Sequence, residues 1–226
     1  MKNKPKGVFC LEGFWYGDHR DLISVTPVLE LVGKHSHMPF IHHRCNTKAE
    51  FEYSIKRWKT KSFCNKYPVL YLGFHGEPGF IKVGKEIITL TDLGNMVGNS
   101  CTRSIIHFGS CSTLNLNKTR VQNFMSNTEV LAVMGYKRDV DWLPSAAFEI
   151  LLLDLLQNNP FDSKGIKAFQ KVVMSECKRQ VEELDFRLII NEKKHFVRTR
   201  KKNHTIIKSL NGAVILSPIK KKKSKI

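Results

Sequence analysis

Pro68-Val69-Leu70-Tyr71-Leu72-Gly73-Phe74-His75-Gly76 and Ser104-Ile105-Ile106-His107-Phe108-Gly109-Ser110-Cys111-Ser112-Thr113 are the two stretches on which the fold turns. Each is a short apolar run that ends in a reactive side chain set among small residues. Runs of this length, rich in β-branched and aromatic residues and bounded by Pro and Gly, read as buried strands. In an open parallel sheet, ligands sit just beyond the carboxyl ends of the strands. His75 and Cys111 each follow such an end, so neighbouring strands would bring imidazole and thiol together. Neutral imidazole takes the thiol proton, and the thiolate is the nucleophile.

Outward from these strands the pattern alternates. Gly7–Trp15, Pro39–Arg44 and Glu129–Gly135 read as further strands. Helices are expected over Ser24–Gly33, capped by Thr26 and stopped by Gly33, and over Thr47–Thr60, where Thr47 and Glu50 form a capping box. Phe80–Val83 and Glu86–Thr89 around Gly84-Lys85 signal a β-hairpin. A helix capped by Thr91 then runs to Gly98. Asn117–Asn127, Pro144–Gln157 and a long Gly165–Asn191 complete the helices, and Ala213–Leu216 is a candidate edge strand. Strands alternating with helices indicate an α/β fold with a mainly parallel sheet. No G-x-G-x-x-G or Walker loop supports a nucleotide-binding fold.

The chain has 226 residues, 42% of them hydrophobic, enough for one sizeable core. No apolar run is long enough for a membrane span, and Val8–Leu11 is too short for a signal peptide, so a cytoplasmic protein with no membrane partner is expected. Six cysteines show no metal or disulfide spacing and read as free thiols, most of them buried and inert. Four histidines, His35, His37, His42 and His43, lack partners at ligand spacing, so neither metal nor cofactor is expected. His107 lies within its strand and reads as packed. The net charge of +17 is uneven: Lys178–Ile226 holds 15 Lys/Arg against 4 Asp/Glu, a net +11.

The order strand, His-Gly, strand, Cys resembles that of the caspase-like (clan CD) cysteine peptidases. The residues carrying the likeness are Leu70-Tyr71-Leu72-Gly73-Phe74-His75-Gly76 and Ile105-Ile106-His107-Phe108-Gly109-Ser110-Cys111. Gly109 stands where caspases have Gln, which places the pattern nearest to separase and CHAT domains. Ser112-Thr113-Leu114 replaces the Glu-Thr-Gly that commonly follows a CHAT cysteine. The resemblance implies a caspase-like three-layer sandwich over residues 1–195, followed by a basic segment, 196–226, expected to be partly disordered. It implies a cysteine endopeptidase with Cys111 as nucleophile, His75 as general base and the N–H groups of Gly76 and Cys111 as oxyanion hole. Asp139 and Asp141, after the next strand, would receive Arg or Lys of a protein or peptide substrate, and Glu77 is a further candidate for substrate contact. An activating partner is common in such families. The competing reading is a catalytically inactive module of the same fold. It would bind a protein partner, or nucleic acid, through Lys193, Lys194, Arg198, Arg200, Lys201, Lys202 and Lys220 to Lys223.

Overall fold

The computed structural model describes residues 5–16, 20 and 22–191, and the backbone of residues 199–201, 204–208 and 214–217. The chain divides into two compact units, Met1–Asn191 and Glu192–Ile226. The first contains, in chain order, β1 (Val8–Glu12), α1 (Thr26–Ser36), β2 (Phe40–Arg44), α2 (Lys48–Trp58), α3 (Lys61–Lys66), β3 (Val69–Gly73), β4 (His75–Glu77), β5 (Phe80–Val83), β6 (Glu86–Thr89), α4 (Leu90–Val97), β7 (Ile105–Phe108), α5 (Lys118–Thr128), β8 (Ala132–Tyr136), α6 (Trp142–Gln157), α7 (Ser163–Glu176), α8 (Lys178–Glu183) and β9 (Phe186–Ile190). The second contains β10 (Thr199–Lys201), β11 (His204–Lys208) and β12 (Val214–Ser217), an antiparallel sheet with β11 in the middle. The edge strand expected at Ala213–Leu216 is found as β12. The basic side chains and the disorder expected of 196–226 lie outside the described residues.

The central sheet has the order β2-β1-β3-β7-β8-β9. Its first five strands are parallel, and β9 joins β8 antiparallel. Side chains alternate between two buried faces, as the period of two along a strand requires. Val8, Cys10, Val69, Tyr71, Ile105 and Met134 pack with residues of α1, α6 and α7. Phe9, Leu11, Leu70, Leu72, Ile106 and Val133 pack with residues of α2, α4 and α5 on the other side. The chain is therefore an α/β protein with a mainly parallel sheet between two helical layers. Because β1, β3, β7 and β8 are parallel, Glu12, Gly73, Phe108 and Tyr136 all end strands at the same edge. The β4-β5-β6 meander is a separate small sheet that begins at His75.

Several boundaries differ from expectation, each for a local reason. The α2 capping box forms as read, with Thr47 and Glu50 bonded reciprocally. Gly33 does not stop α1, which runs on to Ser36 and ends at His37 in left-handed geometry. A β-carbon on Gly33 would lie 3.2 Å from the Met38 carbonyl and from the Phe40 ring, so glycine admits the return into β2. Thr26 is the first residue of α1 rather than its cap; its N–H is bonded by Ser24 Oγ. Helix α4 is capped by Thr89 with Asp92, not by Thr91. The long helix expected over Gly165–Asn191 is broken into α7, α8 and β9. The turn at Asp185, with φ of 45°, lets Phe186 and Leu188 alternate into the core as the closing strand. The short helix α3 and the strand character of His75–Glu77 were not expected.

Candidate active site

The two signature stretches meet at the carboxyl edge of the sheet. Strands β3 and β7 are neighbours in register, with Leu72 opposite Phe108. Ser110, fully buried, stitches their ends: its Oγ donates to the Leu72 carbonyl at 3.0 Å and accepts from the Phe74 N–H at 3.4 Å. Phe74 is the residue before His75, so the loop bearing Cys111 is fixed to the loop bearing the imidazole. One residue further on, Gly76 lies against the cysteine turn itself. A β-carbon there would be 2.1 Å from Thr113 Oγ1 and 2.5 Å from the Cys111 carbonyl oxygen, so only glycine fits.

Cys111 is half-exposed, and the other five cysteines are buried. Burial pushes the thiols of Cys10, Cys101 and Cys177 up, and that of Cys45 to about 11. A thiol in such surroundings is a poor nucleophile. Cys111 Sγ lies 3.8 Å from the Val140 carbonyl oxygen. Among the described residues the Cys111 N–H makes no hydrogen bond, leaving a donor at the turn. The turn is held on both sides: Ser112, at φ of 53°, donates its N–H to the Arg138 carbonyl, and the Leu114 N–H bonds the Tyr136 carbonyl. Thr113 Oγ1 reaches back to the Cys111 carbonyl at 3.2 Å.

His75 is exposed and held from the β1 side. Its Nε2 lies 2.5 Å from the Trp15 carbonyl oxygen, and its ring stands edge-on to the Trp15 indole at 5.5 Å. A carbonyl only accepts, so Nε2 carries the proton and the neutral ring keeps its lone pair on Nδ1. Trp15 is anchored in turn by Glu12, the last residue of β1 and fully buried. Glu12 accepts from Trp15 Nε1 at 2.7 Å, Ser24 Oγ at 2.6 Å and the Val25 N–H at 2.9 Å, and its Oε2 lies 2.6 Å from His42 Nε2. Burial pushes its carboxyl up, but hydrogen bonds from His42, Ser24, Trp15 and Val25 outweigh that and hold it below the ordinary glutamate value.

The acidic candidates are placed unequally. Asp139 sits beside the cysteine turn, its Oδ1 accepting from Ser112 Oγ at 2.7 Å. Asp141 is exposed at the start of α6, where its side chain caps nothing. The cations of the same loop turn elsewhere: Lys137 pairs with Asp185 at 3.1 Å, and Arg138 donates to the Glu183 carbonyl. Glu77 is exposed and pairs with Lys82 at 2.5 Å across the β4-β5 meander.

A second polar cluster lies below, inside the sheet. Glu149, on the largely apolar α6, accepts from Tyr71 OH at 2.5 Å and Tyr136 OH at 3.0 Å, and lies 3.1 Å from His107 Nε2. Among the described residues His107 Nδ1 is buried without a partner. His107 is thus packed in its strand, as its position implies. A β-carbon on Gly109 would fall 2.5 Å from the Tyr71 hydroxyl, which accounts for glycine at that position. Among the described residues no group of three His, Cys, Asp or Glu side chains is placed to hold a metal ion, and no helix is long and apolar enough to cross a membrane.

Sequence reading did not find Trp15, Glu12, Ser110 or Glu149. Glu12 did carry a signal, being an acid that ends an apolar strand at the carboxyl edge of the sheet. Ser110 and Glu149 carried none beyond their type.

A protein-family model described as a family of unknown function (DUF6642) matches residues 5–190. No curated protein matches the chain in sequence. Among solved structures the chain is similar to the initiator caspase Dronc of Drosophila, with a TM-score of 0.45 and 9% identity over 70% of this chain and 68% of that chain.

Proposed function

The chain belongs to the DUF6642 family, and we propose that it is a caspase-like cysteine endopeptidase. The observation that carries this reading is that the single cysteine not buried, Cys111, sits in a turn pinned against the His75-Gly76 step. In the proposed reaction the Cys111 thiol gives its proton to His75 Nδ1, the ring position that the Trp15 carbonyl leaves as the base. The thiolate attacks the peptide carbonyl, and the N–H groups of Gly76 and Cys111 stabilise the resulting oxyanion. The proton on His75 goes to the leaving amine, and a thioester remains on Cys111. Water, deprotonated by His75, hydrolyses the thioester and restores the thiol.

Asp139 and Asp141 support a substrate with Arg or Lys before the cleaved bond. Their loop abuts the cysteine turn, and its own cations are engaged with Asp185 and the Glu183 carbonyl. A peptidyl acyloxymethyl ketone with Arg next to the warhead tests the reading. Labelling of the wild type and none of Cys111→Ala is expected, with weaker labelling of Asp139→Asn. Equal labelling of wild type and Cys111→Ala overturns it.

A further inference from the structure

At the opposite edge of the sheet, where the parallel strands begin, two cavities adjoin. The larger, of about 850 Å³, is lined by Lys6, Lys66, Arg103 and Phe161 among others. The smaller, of about 400 Å³, is lined by Lys59, Lys61 and Arg103, and shares Cys64, Asn65 and Arg103 with the first. Among the described residues neither lining contains an aspartate or glutamate. Among the described residues none of these five cations has a carboxylate partner.

Lys61, Lys66 and Arg103 are exposed, and the Lys59 ammonium donates to the Met96 carbonyl at 2.7 Å. Lys6 is only 8% exposed, yet its ammonium donates to one backbone carbonyl, that of Gln157 at 2.7 Å, and otherwise faces the Phe161 ring at 6.0 Å. Burial lowers the pKa of that lysine, so its charged form is held at a cost that a bound anion would remove. Among the described residues Arg103 uses only Nε, toward the Phe161 carbonyl at 3.2 Å, which leaves its terminal amines for a ligand. Lys66 lies over the Tyr67 ring at 5.4 Å. Concave sites lined by one sign of charge focus the field and concentrate counter-ions. The volumes fall in the range of small-molecule pockets, roughly 300–1,000 Å³, and the guanidinium fork suits phosphate.

We infer that these paired cavities form a binding site for an oligophosphate, spanning from Lys6 past Arg103 to Lys59 and Lys61. Several linked negative charges match several cations spread over two recesses, where a single carboxylate would meet only one or two of them. The ligand would tie together the segment before β1, the end of α3, the loop before β7 and the α6-α7 connection. The site is independent of the thiol chemistry, since it lies at the other ends of the same strands.

The full chain with sodium tripolyphosphate tests this. Lysine footprinting with acetic anhydride should show Lys61 and Lys66 protected by tripolyphosphate. Lys66→Gln/Arg103→Gln should weaken binding at least tenfold by calorimetry, while Lys178→Gln/Arg179→Gln, a control on α8, should not. Protection confined to the C-terminal lysines, Lys220 to Lys223, or undiminished binding by the Lys66/Arg103 variant, overturns the inference. The footprint of the wild type stands even if that variant does not fold. Running ATP without metal beside tripolyphosphate separates a nucleotide from inorganic phosphate: tighter ATP binding with the same footprint assigns the site to a nucleotide, and the reverse order assigns it to inorganic oligophosphate.

Discussion

The carbonyl oxygen of Trp15 lies 2.5 Å from Nε2 of His75, while the indole N–H of the same tryptophan bonds Glu12 at 2.7 Å. A buried carboxylate thus orients an exposed imidazole through one intervening residue. Glu12→Gln removes the charge that gathers four donors and loosens that chain of bonds. The rate of Cys111 alkylation at neutral pH should fall about tenfold, equivalent to about 1.4 kcal/mol. The variant's own pH–rate profile is the readout a merely structural role would not move. An unchanged profile removes Glu12 from the positioning of His75.

The same residue sets a dependence of stability on pH. The Glu12 carboxyl is held below its ordinary value in the folded chain. A depressed acid contributes stability above its unfolded pKa, near 4.5, and loses it as pH falls through the folded value. Urea midpoints measured from pH 6 downward should therefore drop for the wild type below the glutamate range. The drop should be shallower in Glu12→Gln, and parallel curves would contradict the assignment.

Thiol reactivity should be confined to one position. Brief treatment of the native chain with iodoacetamide, followed by mass spectrometry, is expected to modify Cys111 alone. Cys10, Cys45, Cys64, Cys101 and Cys177 are buried and should react only after unfolding. Fast native labelling of any of these five would show that the protected set is misassigned.

Gly76→Ala should be severe, because the added methyl meets the backbone carbonyl of Cys111 at 2.5 Å as well as Thr113 Oγ1 at 2.1 Å. Backbone cannot rotate aside as a flexible side chain can. A loss of about 1–3 kcal/mol is expected from the overpacking, together with loss of Cys111 labelling under conditions where the variant stays folded. Wild-type stability and labelling in this variant would refute the close approach.

A double-mutant cycle tests the layer beneath. Gly109→Ala pushes on the Tyr71 hydroxyl, which is tied to Glu149. Tyr71→Phe alone removes a donor from a buried carboxylate and should cost about 1–3 kcal/mol. Because the two changes share one contact, their combined cost should be less than the sum by at least about 0.5 kcal/mol. Strict additivity in urea denaturation would separate the two sites.

Much of this architecture was readable from residue pattern. The strands around Leu70 and Ile106 announce themselves because both faces of a parallel sheet are buried, so apolar residues run on without a break. Cys111 and His75 follow from where those runs stop. The helix misread over Gly165–Asn191 shows the limit: Phe186, Leu188 and Ile190 continue an apolar pattern that only pairing with β8 turns into a strand. Glu12 and Glu149 were hidden for a different reason. A buried carboxylate is defined by the donors brought to it from distant segments, such as Ser24 and His42 or Tyr71 and Tyr136, and no local spacing encodes that convergence.

Arg187, on the antiparallel β9, donates to the carbonyls of Leu114 and Leu116 just beyond the cysteine turn. The loop that carries Cys111 is therefore completed by a residue more than seventy positions later. During synthesis on the ribosome, a nascent chain that has exposed Cys111 still lacks the guanidinium that closes the loop. The thiol gains its final setting only after nearly the whole first unit has emerged, so a half-made polypeptide does not yet hold Cys111 in its finished turn.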